Sequence, residues 1–224
     1  MKLNQIKKQL HPEFYKVLES EGISELRPSQ EKSIKNKLFV GKSLLVCTPT
    51  ASGKTLVAEL ASINNIANRK GKSIYIVPLK ALATEKFKDF KRKYEHLAKI
   101  ALSIGDLDST DHYLEKFDMI ICTAEKLDSL IRHRVNWLKD VKTVVIDEIH
   151  LLNDPGRGPT LEIIITILKK LLKNVQLIGL SATIGNPVEL AKWLEAELIE
   201  DDWRPVKLKK GIIFDGKVEF KKDI

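Results

Sequence analysis

Short apolar, β-branched runs alternate along this chain with segments whose apolar residues recur at helical spacing. The runs at 43–47, 73–77, 100–104, 119–122, 143–147 and 175–180 are near-continuously apolar. That pattern predicts strands of a parallel sheet covered on both faces, since a sheet with one wet face would alternate apolar and polar residues. Between the runs lie amphipathic stretches. One carries Leu56, Val57, Leu60, Ala61 and Ile63; a second carries Leu79, Leu82, Phe87, Phe90 and Tyr94. A third places Leu161, Ile164, Ile165 and Leu168 at i, i+3, i+4, i+7. A fourth opens on Asn186, Pro187 and Glu189, which reads as an N-cap, a first-turn proline and an acidic N3 residue. The alternation predicts an α/β fold, doubly wound around a mostly parallel sheet with right-handed crossovers.

After residue 200 the pattern changes. Two short β-prone runs flank Asp215-Gly216, the signature of a hairpin turn, so 201–224 reads as a linker or hairpin outside the main sheet. The abrupt stop after it suggests a fragment of something longer.

Composition narrows the class. The chain has 224 residues, 43% apolar and 30% charged, with no apolar run long enough to cross a bilayer and no secretory h-region at its start. An intracellular, cytoplasmic protein with no membrane partner is expected. Cys47 and Cys122 each end an apolar run, so both read as buried reduced thiols rather than as metal ligands or a disulfide. The net charge of +8 fits a polyanionic partner and equally fits a lysine-rich solvated surface.

Chemistry concentrates where the predicted strands end. The first strand runs into Thr48-Pro49-Thr50-Ala51-Ser52-Gly53-Lys54-Thr55 and then directly into a helix. Successive backbone N–H groups at a helix N-terminus form an anion cradle. Lys54 supplies charge to β/γ phosphates and the Thr55 hydroxyl suits Mg²⁺. Thr48 replaces the usual first glycine, but Gly53, where backbone meets phosphate most closely, is kept. A second strand ends in Asp147-Glu148. Asp147 suits a metal, held directly or through water, and Glu148 suits activation of the attacking water. Together the two segments predict an ATPase site using ATP and Mg²⁺.

Weaker signals face the same edge. Ser181 and Thr183 follow the strand at 175–180, either to hydrogen-bond the acidic pair and sense its state or as a plain turn. Gln30 stands shortly before the phosphate loop, either to read an adenine edge with its amide or as an exposed first-turn residue. Pro78 with Lys80, Thr123 with Glu125, and Arg157 with Gly158 suit sugar-phosphate contacts that ignore sequence; the alternative is ordinary α/β turn chemistry.

Taken in order, "RPSQ", "TPTASGKT", "PLKALA", "TAEK", "DEIH", "SAT" and "DWRP" resemble the consecutive motifs of superfamily 2 helicases. The fuller stretches "IVPLKALATEKF", "ICTAEKLDSLIRH" and "GLSATIGNPVELAKWLEAELIEDDWRPVKLKKG" resemble the archaeal Holliday-junction-migration helicases of the Ski-like group, relatives of the helicase half of DNA polymerase theta. The resemblance spans about Leu10 to Phe220. It implies a RecA-like P-loop NTPase domain over 1–200, with an adenine-recognition segment at 1–40, and with 201–224 leading towards a second RecA-like domain through "DWRP".

By the same resemblance, Gln30 recognises adenine, and the loop from Thr48 to Thr55 holds phosphates and metal. Asp147 and Glu148 become the metal-binding and water-activating acids. His150 links to Ser181 and Thr183 to couple ATP to strand movement. Pro78, Lys80, Thr123, Glu125 and Arg157 fall on the nucleic-acid path. The implied activity is 3′-to-5′ unwinding of forked or branched DNA in replication-linked repair, with single-stranded and branched DNA as the partners bound. The alternatives are an RNA-remodelling helicase and a non-hydrolysing nucleic-acid-binding module. Nothing in the sequence matches a second motor domain or its arginine fingers, which are worth about 10³–10⁵ in rate, so this chain alone should turn over ATP poorly.

Overall fold

The computed structural model describes residues 1–105, 111–206, 209 and 211–220. Seven parallel strands form one sheet: β1 (Leu44–Cys47), β2 (Lys72–Val77), β3 (Ile100–Ser103), β4 (Met119–Thr123), β5 (Val141–Ile146), β6 (Gln176–Ser181) and β7 (Glu197–Glu200). Their order across the sheet is β3-β4-β2-β5-β6-β1-β7. The helices are α1 (Pro12–Ser20), α2 (Pro28–Lys35), α3 (Lys54–Ala67), α4 (Lys80–Tyr94), α5 (Ala124–Arg132), α6 (Gly158–Leu171) and α7 (Pro187–Leu194). The expected α/β architecture is present, and each apolar run becomes a strand to within a residue or two of its expected ends.

Continuous apolarity follows from two separate cores. Leu44, Val46, Tyr75, Val77, Val145, Ile178 and Leu180 face one side, against α1, α3 and α4. Their chain neighbours Leu45, Cys47, Ile74, Ile76, Val144, Ile146 and Leu177 face the other, against α5, α6 and α7. A strand's period of two divides each run between the layers, so every position must be apolar. Cys47 and Cys122 lie in this second core as free thiols, and burial pushes them up to about 11 and about 12.

One strand departs from the sequence reading. β7 has no counterpart among the expected strands: it is an edge strand with sequence ELIE, in which only Ile199 is buried. The N-terminal segment packs into the domain. A 3₁₀ helix at Leu3–Gln9 and α1 bury Leu3, Ile6, Leu10, Phe14 and Leu18 in the first core. Asn186 takes the expected N-cap position of α7, with Pro187 and Glu189 in the first turn, but its side chain bonds no N–H of the helix and instead donates to Glu189 Oε2 at 3.4 Å.

β8 (Gly211–Phe214) and β9 (Lys217–Phe220) form a separate antiparallel pair with all eight residues exposed. Asp215 and Gly216 have φ of 47° and 71°, the two positive angles a tight type I′ hairpin requires.

Register decides where the chemistry falls. Cys47 pairs with Ser181, Ile76 with Ile146, and Val77 with Thr123. The strands therefore end together, and the segments that follow β1, β2, β4, β5 and β6 emerge along one sheet edge, where open α/β folds bind ligands.

Candidate nucleotide and nucleic-acid site

The loop between β1 and α3 is tightly folded on itself. Thr48 continues the ladder through its N–H to Ser181 O at 3.2 Å, and its buried hydroxyl meets Ser52 Oγ at 2.7 Å. Ser52 N–H donates to Pro49 O at 3.2 Å, while Thr50 and Ala51 form an exposed tip with Ala51 at φ 65°. Gly53 has φ 93°, and a Cβ there would lie 2.6 Å from Gln30 Nε2. The left-handed conformation favours glycine at this one position, and any Cβ would also have to displace the Gln30 amide.

Lys54 opens α3 and turns its ammonium back to the carbonyls of Thr48 (2.9 Å) and Pro49 (3.4 Å). Burial lowers its pKa, and the charges of Glu148 and Asp147 act in the opposite direction. The ammonium thus waits inside the concave side of the loop, bonded only to neutral oxygens that a phosphate would outcompete.

Gln30 is buried rather than an exposed first-turn residue. Its Oε1 accepts from Arg27 N–H at 2.8 Å and its Nε2 donates to Gly53 O at 2.9 Å, so the amide braces the phosphate loop. Arg27 donates to Ala51 O at 2.7 Å and stacks over Trp203 of "DWRP" at 5.3 Å. Lys32 holds the same segment through Glu200 O at 2.7 Å and Asp201 at 2.8 Å. Beside these residues opens a cleft lined by Arg27, Gln30, Gly53, Thr55, Leu56 and Lys86.

Asp147 and Glu148 follow β5. Asp147 Oδ1 accepts the Glu148 N–H at 3.1 Å, and Oδ2 accepts from the Tyr75 hydroxyl at 3.0 Å. Burial first, and then the Asp147 charge, raises Tyr75 well above an ordinary phenol, so it stays a donor. Glu148 takes φ 52°, a left-handed conformation that turns the chain from the strand into a 3₁₀ turn, Ile149–Asn153. Lys86 of α4 completes the group, with Nζ 3.1 Å from Thr55 Oγ1 and 3.6 Å from Asp147 Oδ2. Sequence reasoning missed Tyr75 and Lys86. The one available signal was a lysine on the stripe Ala83, Phe87, Phe90 and Tyr94, which otherwise faces the core.

The donor set fits a metal-nucleotide. A glycine-dependent cradle ends in a lysine with only carbonyl partners, and a hydroxyl and a carboxylate converge on one cation.

The three residues expected to couple, His150, Ser181 and Thr183, are not connected to one another among the described residues. Ser181 Oγ and His150 Nδ1 are buried without a hydrogen-bond partner among the described residues. His150 Nδ1 lies 3.4 Å from Glu148 Oε2 without hydrogen-bond geometry, and Thr183 is exposed. The expected bonds from Ser181 to the acidic pair are therefore not made in this state.

Of the residues assigned to the nucleic-acid path, Pro78, Glu125 and Arg157 line one small pocket together with Asp147 and Glu148. Lys80 is exposed at the start of α4. Thr123 is different: it is buried and its hydroxyl caps α5 by accepting Lys126 N–H at 3.4 Å. The cap explains the threonine structurally, because the hydroxyl already serves an orphan helix donor.

A phosphate-binding loop facing an acidic pair at the carboxyl edge of a parallel sheet defines a P-loop-type nucleotide-binding domain. The chain belongs to the DEAD/DEAH box helicase family, which matches residues 27–191. It is 57% identical over 213 residues to the ATP-dependent DNA helicase Hel308 of Methanocaldococcus jannaschii, covering 91% of this chain and 17% of that protein. It is 55% identical over 201 residues to Hel308 of Pyrococcus abyssi, covering 89% of this chain and 28% of that protein. Among solved structures, the DUF1998 helicase MrfA bound to DNA and AMPPNP superposes with a TM-score of 0.75 at 27% identity, over 87% of this chain and 29% of that one. The chain thus spans less than a third of the length of each of these relatives.

Proposed function

We propose that this chain is the ATP-binding motor domain of an ATP-dependent 3′-to-5′ DNA helicase that acts on forked and branched DNA in replication-linked repair. Residues 1–200 form the RecA-like domain, with 1–40 as its adenine-side segment. Residues 201–224 lead towards a second RecA-like domain of a longer, cytoplasmic enzyme. The observation that carries this reading is the convergence of Lys54, Thr55, Asp147 and Glu148 on one sheet edge, next to a cleft braced by Gln30.

Lys54 leaves its carbonyl partners for β/γ phosphate oxygens, and the N–H groups from Thr50 to Thr55 receive the rest of the phosphate charge. Gln30 holds the loop and presents its amide to adenine. Thr55 and Asp147 would hold Mg²⁺, which neutralises charge developing between the β- and γ-phosphates. Glu148 orients water and takes its proton. His150, Ser181 and Thr183 report the state of that pair across the β5–β6 edge. Lys80, with the cavity bounded by Pro78, Glu125 and Arg157, follows the sugar-phosphate backbone, and Thr123 shapes that path from beneath.

The names of the Hel308 relatives support DNA rather than RNA as the track. Stimulation of the full-length enzyme's ATPase by single-stranded DNA and by RNA of equal length tests it. Greater stimulation by DNA is expected; preference for RNA overturns the assignment.

A further inference from the structure

We infer that Lys86 holds the metal's place in the nucleotide-free protein, as a positioning residue whose ammonium Mg²⁺ must displace. The inference rests on the reading of Thr55 and Asp147 as the metal-binding pair. Lys86 Nζ sits 3.1 Å from Thr55 Oγ1 and 3.6 Å from Asp147 Oδ2, on the two oxygen atoms proposed to receive the cation. The seat is largely enclosed: the Lys86 side chain is 21% exposed and that of Asp147 14%.

Helix packing alone does not account for this lysine. It lies three residues after the buried Ala83 and four before the buried Phe90, on the core-facing stripe of α4. An apolar residue there would extend the first core. Instead a flexible cationic stem crosses the Tyr75 ring at 5.8 Å and brings charge to Asp147, whose same oxygen accepts from the Tyr75 hydroxyl. Without Lys86, the negative charge of Asp147 would face Thr55 with only neutral donors, the Tyr75 hydroxyl and the Glu148 N–H.

Mg²⁺ bound by Thr55 and Asp147 takes over the charge that Lys86 supplies. The ammonium retreats into the adjoining cleft, of which Lys86 already forms part of the wall. In the absence of metal the ammonium stays and partly replaces it beside the phosphates. The protein thereby keeps its acid balanced in both states, and metal dependence of nucleotide binding is blunted.

The test is the affinity for fluorescently labelled ADP, measured with Mg²⁺ and with EDTA, and expressed as the ratio of the two. Lys86→Met removes the charge and keeps the stem. It should weaken binding in EDTA and tighten it in Mg²⁺, raising the ratio at least about fivefold, as expected when a unit charge next to a cation seat is lost. Lys86→Arg should restore the ratio of the unaltered protein. A ratio in Lys86→Met that is unchanged or lower overturns the inference, because a lysine that merely contacts phosphate would weaken both conditions alike. Asp147→Asn separates the two levels. If it leaves the ratio of the unaltered protein intact, the metal-binding pair itself is wrong, and the role of Lys86 falls with it. If it abolishes the ratio while Lys86→Met leaves it unchanged, only the place-holding role fails.

Discussion

At Glu148, backbone and side chain are set by different demands. Its φ of 52° forces the chain to turn immediately after β5, and its N–H is tied to the carboxylate of Asp147. The two acids are adjacent in sequence yet take separate environments, one clamped by Tyr75 and Lys86, the other half-exposed beside His150. Glu148→Gln keeps the size and the Asp147 clamp but cannot accept a proton. Nucleotide affinity should be unchanged, while kcat of the full-length enzyme falls by about 10²–10⁴, the usual contribution of a general base. Steady-state ATPase assays alongside nucleotide titration check both halves. Residues of this kind were legible because they form contiguous motifs. Tyr75 and Lys86 were not, since they reach Asp147 from β2 and α4, and no local pattern announces a contact across 72 residues of chain.

Among the elements, α6 is held to the turn after Glu148 by a missing side chain. Gly158 begins this helix, and a Cβ there would lie 2.2 Å from Leu152 O and 2.9 Å from Leu152 C, atoms of the 3₁₀ turn that follows Glu148. Both neighbours are backbone, so neither can yield by changing rotamer. Gly158→Ala should therefore push α6 and the turn apart and lower stability by about 1–3 kcal/mol. A lower denaturation midpoint at unchanged slope would register it. Helices and strands with strong periodicity were readable for the same reason that they are stable: each buries a full face. β7 was not, because a four-residue edge strand with one buried side chain carries almost no periodic signal. Asn186 caps α7 where expected, yet its side chain found Glu189 in place of the backbone, a choice between two nearby partners that sequence does not rank.

In the whole molecule, continuous apolar runs implied a sheet buried on both faces, and the two cores bear that out in alternate residues of every central strand. The sheet edge that collects the motifs was equally foreseeable, given right-handed crossovers. What the pattern did not convey is how far the N-terminal 40 residues are integrated. Leu3, Ile6 and Phe14 pack into the first core, while Gln30 and Arg27 brace the phosphate loop. The proposed nucleotide site is thereby braced by the N-terminal segment, and Trp203 stacks on Arg27. Family membership rests on residues 27–191, and the motor reading rests on what the loop holds. The most direct measurement is ATP affinity, by calorimetric titration in the presence of Mg²⁺, for the unaltered protein and for Lys54→Ala. Loss of a charged hydrogen-bond donor to phosphate should weaken binding about ten- to a hundredfold. Equal affinity in the two proteins would contradict the assignment of this loop as the nucleotide site.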